Sequence, residues 1–219
     1  MTRKGFARSI LAAVVIVFYG CAPALIPMDK EELIQLKNLP EVDAVHYESP
    51  AFLSDVGVYG VVGFTLMAAK GKSIKETYKI EDPTLAVKAR FVDNLISELK
   101  LIHVRLIDQP FRSDSLDDIR QAHTGRLLFD FKTIGWGTGI RSGFSTDQYI
   151  GYSVRGRLIR TEDSKVLWQG LCKFETPDIK RAALTENDGA LLKGKLREAG
   201  DTCAADLWVQ FQGKNPRTN

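Results

Sequence analysis

Once its first twenty residues are set aside, this chain has no surplus charge of either sign. Its 219 residues carry 30 Lys and Arg against 27 Asp and Glu, and Arg3, Lys4 and Arg8, in a stretch without acids, account for the whole difference. A pI near 8.7 therefore reports the amino terminus and not a basic face. No Lys/Arg cluster of the kind a nucleic-acid surface needs is present, so no nucleic-acid partner is expected.

Catalytic motifs are equally scarce. The three histidines, His46, His103 and His123, lie far apart, with no second ligand at a metal-site spacing such as i, i+4, and no metal or cofactor is expected. The run Gly151-Tyr152-Ser153-Val154-Arg155-Gly156 has its second glycine one place too late for a nucleophile elbow. Gly135-Trp136-Gly137-Thr138-Gly139 lacks the third glycine of a dinucleotide turn, and no G-x-x-x-x-G-K-[ST] occurs. Adjacent acids, Glu31-Glu32 and Asp117-Asp118, point in different directions on a helix. The expectation is a protein that is not an enzyme.

A membrane-spanning run is also missing. The apolar stretch at 10–19 is about half of the roughly 20 residues that a spanning helix requires. Behind a basic start and directly before Gly20-Cys21, it has the layout of an export signal. It resembles bacterial lipoprotein signals, which implies acylation at Cys21 and removal of residues 1–20; an ordinary secreted protein or an unprocessed anchor are the alternatives. Residues 21–40 then read as lipid anchor and tether, with a short helix over 28–39, residues 41–213 as one domain, and 214–219 as a polar tail.

Of three cysteines, Cys172 and Cys203 remain as a pair in an oxidising compartment. Alternation over 165–174 puts Val166, Trp168, Cys172 and Phe174 on one apolar face. On the last helix Leu192, Leu196, Ala199, Cys203 and Leu207 recur at helical spacing, so Cys203 also points inward. A bridge between them closes a loop of about 30 residues and contributes about 3 to 4 kcal/mol in the chain-entropy model. Two buried free thiols are the alternative.

Periodicity places a first strand at 41–48, bounded by Pro40 and Pro50. Asp82-Pro83 opens a helix over 82–99, with Asp82 as N-cap and Pro83 at the first helical position. A short strand follows at 103–108, then a polar connection with a turn or two of helix at 116–122. Three strand-like runs, 126–137, 149–160 and 165–174, form a meander. Thr185 caps a final helix to about residue 212. This order predicts an α+β domain, a mainly antiparallel sheet with helices packed on one face, and a disulfide from the last strand to the last helix.

Residues 56–69 hold fourteen positions without a charge, with Gly57, Gly60 and Gly63 at every third one. This is a buried core helix, a glycine-relieved loop, or a surface that contacts a partner or the lipid interface through Val56, Val58, Tyr59, Val61, Val62, Phe64 and Leu66. An exposed apolar patch of that size usually has a purpose.

The anchor at Cys21, the helix DPTLAVKARFVDNLISEL, the strands YIGYSVRGRLIR and KVLWQGLCKF and the helix ALLKGKLREAGDTCAADLWVQF together resemble small periplasmic accessory lipoproteins. These include the auxiliary lipoproteins of ABC-type lipid transporters and the activators of penicillin-binding proteins. The resemblance implies a non-catalytic accessory or scaffold subunit of an envelope machine, held at the membrane by lipid and bound to a protein partner. Ala22, not Asp, follows Cys21, which by enterobacterial sorting rules implies the outer membrane, periplasm-facing. The alternative is an oligomeric or pore-type membrane module built on residues 56–69.

Overall fold

The three long runs of alternating apolar residues near the chain's end form the meander that organises everything else. A computed structural model describes residues 24–36, 41–55, 60–101, 103–141 and 147–214. In chain order the elements are α1 (Lys30–Leu36), β1 (Val42–His46), β2 (Leu53–Ser54), α2 (Gly60–Tyr78), α3 (Thr84–Leu99), β3 (Val104–Leu106), α4 (Leu116–Ala122), β4 (Leu127–Gly139), β5 (Asp147–Arg160), β6 (Lys165–Glu175), β7 (Ile179–Lys180) and α5 (Arg181–Phe211).

The fold is α+β, but its seven-stranded sheet is mixed, which corrects the mainly antiparallel expectation. Strand order is β3-β1-β4-β5-β6, with β2 on β4 and β7 on β5. The meander β4-β5-β6 is antiparallel, whereas β1 lies parallel to both β3 and β4, and β2 parallel to β4. The cause is the connections. From β1 to β3 the chain passes through α2 and α3, and a long helical crossover returns a strand in the same direction, as a tight hairpin does not.

One face of the sheet carries the main core. Phe91 of α3 sits at its centre, with the rings of Phe129, Phe131, Trp168, Trp208 and Phe211 at centroid distances of 5.3–5.6 Å. Cys172 and Cys203 are joined in a disulfide that ties β6 to α5 across this core. The start of α3 is pinned to the sheet: one Asp82 oxygen accepts from the Thr84 N–H at 2.8 Å and from the Thr133 hydroxyl at 2.7 Å. Asp82 thus caps the helix as the sequence predicts.

The opposite face is not bare. Val45, Tyr47, Leu128 and Ile159 form a second, smaller apolar cluster closed by Ile119 of α4, so helices cover both faces in the lower half of the sheet. A β-bulge explains one misplaced residue. Leu158 pairs with Trp168, and the next residue, Ile159, pairs with Val166, leaving Leu167 as the extra residue. The phase inverts there, so Val166 packs against the second cluster and not beside Trp168.

The last helix is broken. Asn187, Asp188 and Gly189 adopt left-handed backbone between Arg181 and the long helical run that ends at Phe211, so Thr185 is not its cap; its hydroxyl instead donates to the Ala182 carbonyl. Gly189 is required: its φ is +67°, and a Cβ there would meet the Tyr78 ring at 2.9 Å. Residues 24–28 are also structured. Ile26 and Gln169 exchange backbone hydrogen bonds at 3.0 and 2.9 Å, extending the edge of β6, and Met28 and Leu36 join the main core.

Candidate functional site

Two regions concentrate polar chemistry or exposed apolar surface. The first lies under the strap formed by residues 107–124, on the second face of the sheet. Asp130 on β4 and Arg157 on β5 are cross-strand partners, with Arg157 Nε 3.1 Å from one carboxylate oxygen and Nη2 2.5 Å from the other. The Tyr47 hydroxyl donates to the same carboxylate at 2.7 Å. Burial, then the neighbouring Asp130 charge, pushes the Tyr47 phenol far above its ordinary value, so it stays a neutral donor. Asp114, on the strap, is clamped by Lys132 at 2.8 Å and Arg155 at 3.2 Å. The Lys132 hydrogen bond, against an opposing effect of burial, holds the Asp114 carboxyl below the usual range.

A second brace stands at the sheet's lower edge. Asp43 on β1 accepts a two-pronged contact from Arg105 at 2.8 and 2.9 Å and meets His123 Nδ1 at 2.8 Å. Burial alone would raise the Asp43 pKa, but hydrogen bonds from Arg105 and His123 outweigh it and hold it below normal. His46 instead faces Lys88, whose Nζ lies 3.2 Å from Nδ1 and donates to the Ile107 carbonyl at 2.8 Å. Burial, then the Lys88 charge, lowers the His46 pKa; burial likewise lowers that of Lys88. His103 is exposed. Two of the three histidines are thus engaged with different partners, and among the described residues no group of three potential metal ligands forms.

These braces were missed in the sequence. Their signal is the polar residue at an inward-facing place of an alternating strand: Asp130 within Leu128-Phe129-Asp130-Phe131, and Arg155 and Arg157 two apart on one side of β5. Paired residues of opposite charge on adjacent strands are visible only once the register is known.

The second region is the upper end of the sheet. There Leu53, Gly137, Gly151 and Glu175 lie in one row across β2, β4, β5 and β6. A cleft of about 330 Å³ opens beside it, lined by Gly135, Gly137, Gly139, Gly151, Tyr149 and Met67 among others. Four of its lining residues are glycines, and the Tyr149 ring lies close to where a Cβ on Gly139 would be, with the ring's Cζ at 2.5 Å. The Arg141 guanidinium stacks 4.5 Å from the centre of that ring.

Above the cleft begins α2. Val61, Val62, Phe64 and Leu66 are exposed by 87%, 68%, 58% and 46%, so this stretch is a surface helix, not the buried core helix that the sequence left open. Val56, Val58 and Tyr59 lie outside the described residues, as does Cys21. Lower down, the helix is locked to the sheet: a Cβ on Gly71 would lie 1.7 Å from the Phe52 carbonyl oxygen, and Lys75 stands over the Trp136 ring at 5.3 Å. No helix among the described residues is long and apolar enough to cross a membrane.

No family model matches the chain, and no curated protein matches it. Solved structures overlap it loosely. Lipoprotein GNA1162 from Neisseria meningitidis is 18% identical, covering 76% of this chain and 99% of its own, at a TM-score of 0.29. Protein XCC0632 from Xanthomonas campestris, of family model DUF330, is 14% identical over 79% of this chain and 85% of its own, at 0.39. The PelC dodecamer from Paraburkholderia phytofirmans is 12% identical over 73% and 87%, at 0.28. Bacterial lipoproteins are thus among the structures this chain is similar to, at scores too low to carry a statement about its activity.

Proposed function

We propose that the protein is a lipid-anchored component of the bacterial envelope, facing the periplasm from the outer membrane, that works as a non-catalytic accessory or scaffold subunit of a larger machine. The observation that carries this reading is the division of labour between the two ends of the sheet. Two buried carboxylates that could do chemistry are already held, Asp43 by Arg105 and His123, and Asp130 by Arg157 and Tyr47. A cleft of about 650 Å³ at the lower end is lined by charged side chains such as Glu32, Arg126 and Arg160, whereas the upper end sets its cleft beside exposed apolar side chains, which is a contact surface.

A photoreactive amino acid at Ser153, in the cleft, tests the protein contact in intact envelopes. A single stoichiometric adduct with another envelope protein is expected. An adduct pattern no different from that of a probe at Glu162, at the far end of the sheet, would remove the cleft from consideration. Cys21→Ala protein is expected to lose acylation and to fold, since the domain's core is built from residues from Met28 onward; full acylation of that variant would show the anchor to be misassigned.

A further inference from the structure

We propose that the first turns of α2, at the upper end of the sheet, enter the lipid interface of a phospholipid bilayer as a contact additional to the acyl anchor, leaving the cleft at Ser153 below them to the protein partner. The proposal deepens the reading of a lipid-anchored protein and rests on it. Three observations converge on that end.

The first is the direction of α2. Met67 lines the cleft with Gly137 and Gly139, Gly71 sits on the Phe52 carbonyl, Tyr78 packs on Gly189, and α3 then begins beside Thr133. Read along the chain, the helix descends from the top of the sheet. The residues before Met67 therefore rise past the row of Leu53, Gly137, Gly151 and Glu175 toward the level of the β5–β7 pairing, and at 1.5 Å per residue Gly60 lies about 10 Å along the axis from Met67.

The second is the direction of the amino-terminal chain. Ile26 bridges Gln169 in the antiparallel sense, so following the chain backward from Ile26 leads along β6 toward Glu175, the same upper end. The Ala24 carbonyl, which accepts from the Gln169 side chain, keeps the chain on that course. Cys21 is five residues before Ile26, a reach of up to about 17 Å, against about 20 Å of strand from Gln169 to Glu175. The described chain thus runs backward from Ile26 through Ala24 toward the upper end on the β6 side, while α2 rises from it on the β2 side.

The third is the order of side chains along α2. The exposed apolar residues Phe64, Val61, Val62 and Leu66 spread over about 200° of the helix wheel at 100° per residue, and they stop at Lys70. A helix seated in a protein groove keeps a narrow apolar stripe along its length. Here the change runs along the axis instead, from an apolar tip to a turn carrying Lys70, Lys72 and Lys75, with Glu76 as its one acid. Lys72 lies 3.9 Å from Glu76, and Lys70 donates to the Asp55 carbonyl at 3.2 Å. Apolar groups followed by ammonium groups match the layering of acyl chains beneath anionic headgroups.

The test uses the acylated full chain on vesicles of phosphatidylethanolamine and phosphatidylglycerol, with an environment-sensitive fluorophore on Phe64→Cys and, separately, on Val61→Cys. A third label on Glu162→Cys, in the turn at the opposite end, is the reference. Lipids spin-labelled near the headgroup end of the acyl chain should quench and blue-shift the labels at 61 and 64 and leave that at 162 unchanged. Labels at 61 and 64 that stay water-exposed on vesicle-bound protein would overturn the proposal. So would shielding of both labels in the Cys21→Ala chain without any lipid, which would identify a second copy as the occupant. The mass of the Cys21 peptide reads the anchor by itself: quenched labels with an unmodified Cys21 would refute the anchor and leave the α2 contact standing.

Discussion

Arg157 grips Asp130 with two nitrogens from the neighbouring strand, beneath a strap that excludes water from both. A buried pair of this kind is costly to break and cheap to replace as a unit. Arg157→Met alone is expected to lose about 3 to 5 kcal/mol by leaving the Asp130 charge unpaired. Asp130→Leu, Arg157→Met and Tyr47→Phe together should recover part of it, since the unpaired carboxylate is gone while buried Arg155, 4.0 Å from Asp130, keeps Asp114 at 3.2 Å. Urea unfolding of the single and triple variants checks this; a triple variant no better than the single one would show that the pair does more than neutralise itself.

The Cys172–Cys203 bridge closes a separation of 31 residues. Cys172→Ala with Cys203→Ala should cost about 3 to 4 kcal/mol, read as a lower urea midpoint. Non-reducing mass spectrometry of protein from an oxidising compartment should show the two cysteines in one linked peptide; two freely alkylated thiols would refute the bridge.

Acid should weaken the fold first through His46. Burial and the Lys88 charge depress its folded-state pKa, so below about pH 6.5 the unfolded chain takes up a proton that the folded one refuses. Stability therefore falls as pH drops from about 6.5 toward the depressed value, and the slope ends once both states are protonated. His46→Gln should flatten stability measured between about pH 7.5 and 5.5. An unchanged slope would place the acid sensitivity elsewhere.

Two glycines in helices should respond in opposite ways. Gly71→Ala drives a Cβ into the Phe52 backbone and should cost about 1 to 3 kcal/mol as an overpacked contact. Gly194 has nothing within 4 Å of its Cβ position, and Gly194→Ala should gain up to about 1 kcal/mol from helix propensity. Thermal unfolding of both variants decides; equal effects would mean that α2 is not seated on Phe52 as described.

Much of this fold is legible from short windows of sequence. The start of α3 follows from Asp82-Pro83, because capping chemistry involves residues two or three apart. The meander follows from alternation and from the turn after Arg160. The inward aim of Cys172 and Cys203 follows from period two in one element and period 3.6 in the other. Alternation failed at Val166, where the unpaired Leu167 inverts the phase; a bulge is a property of the strand pair, not of either strand.

By itself the sequence determined the types of β1, α3, the meander strands and the last helix, the inward aim of Cys172 and Cys203 and the neutral charge balance, because each depends on local spacing or on composition. Only the tertiary structure decided that β1 runs parallel to β3 and β4, that Asp130 and Asp43 are internal braces, and that Val61, Val62, Phe64 and Leu66 are surface residues at one end of the sheet. Those outcomes depend on which segments meet after long crossovers. The physical reason is that strand register and helix seating are set by contacts between residues more than 100 positions apart, as Tyr47 and Arg157 are at 110, and no window of sequence contains both partners.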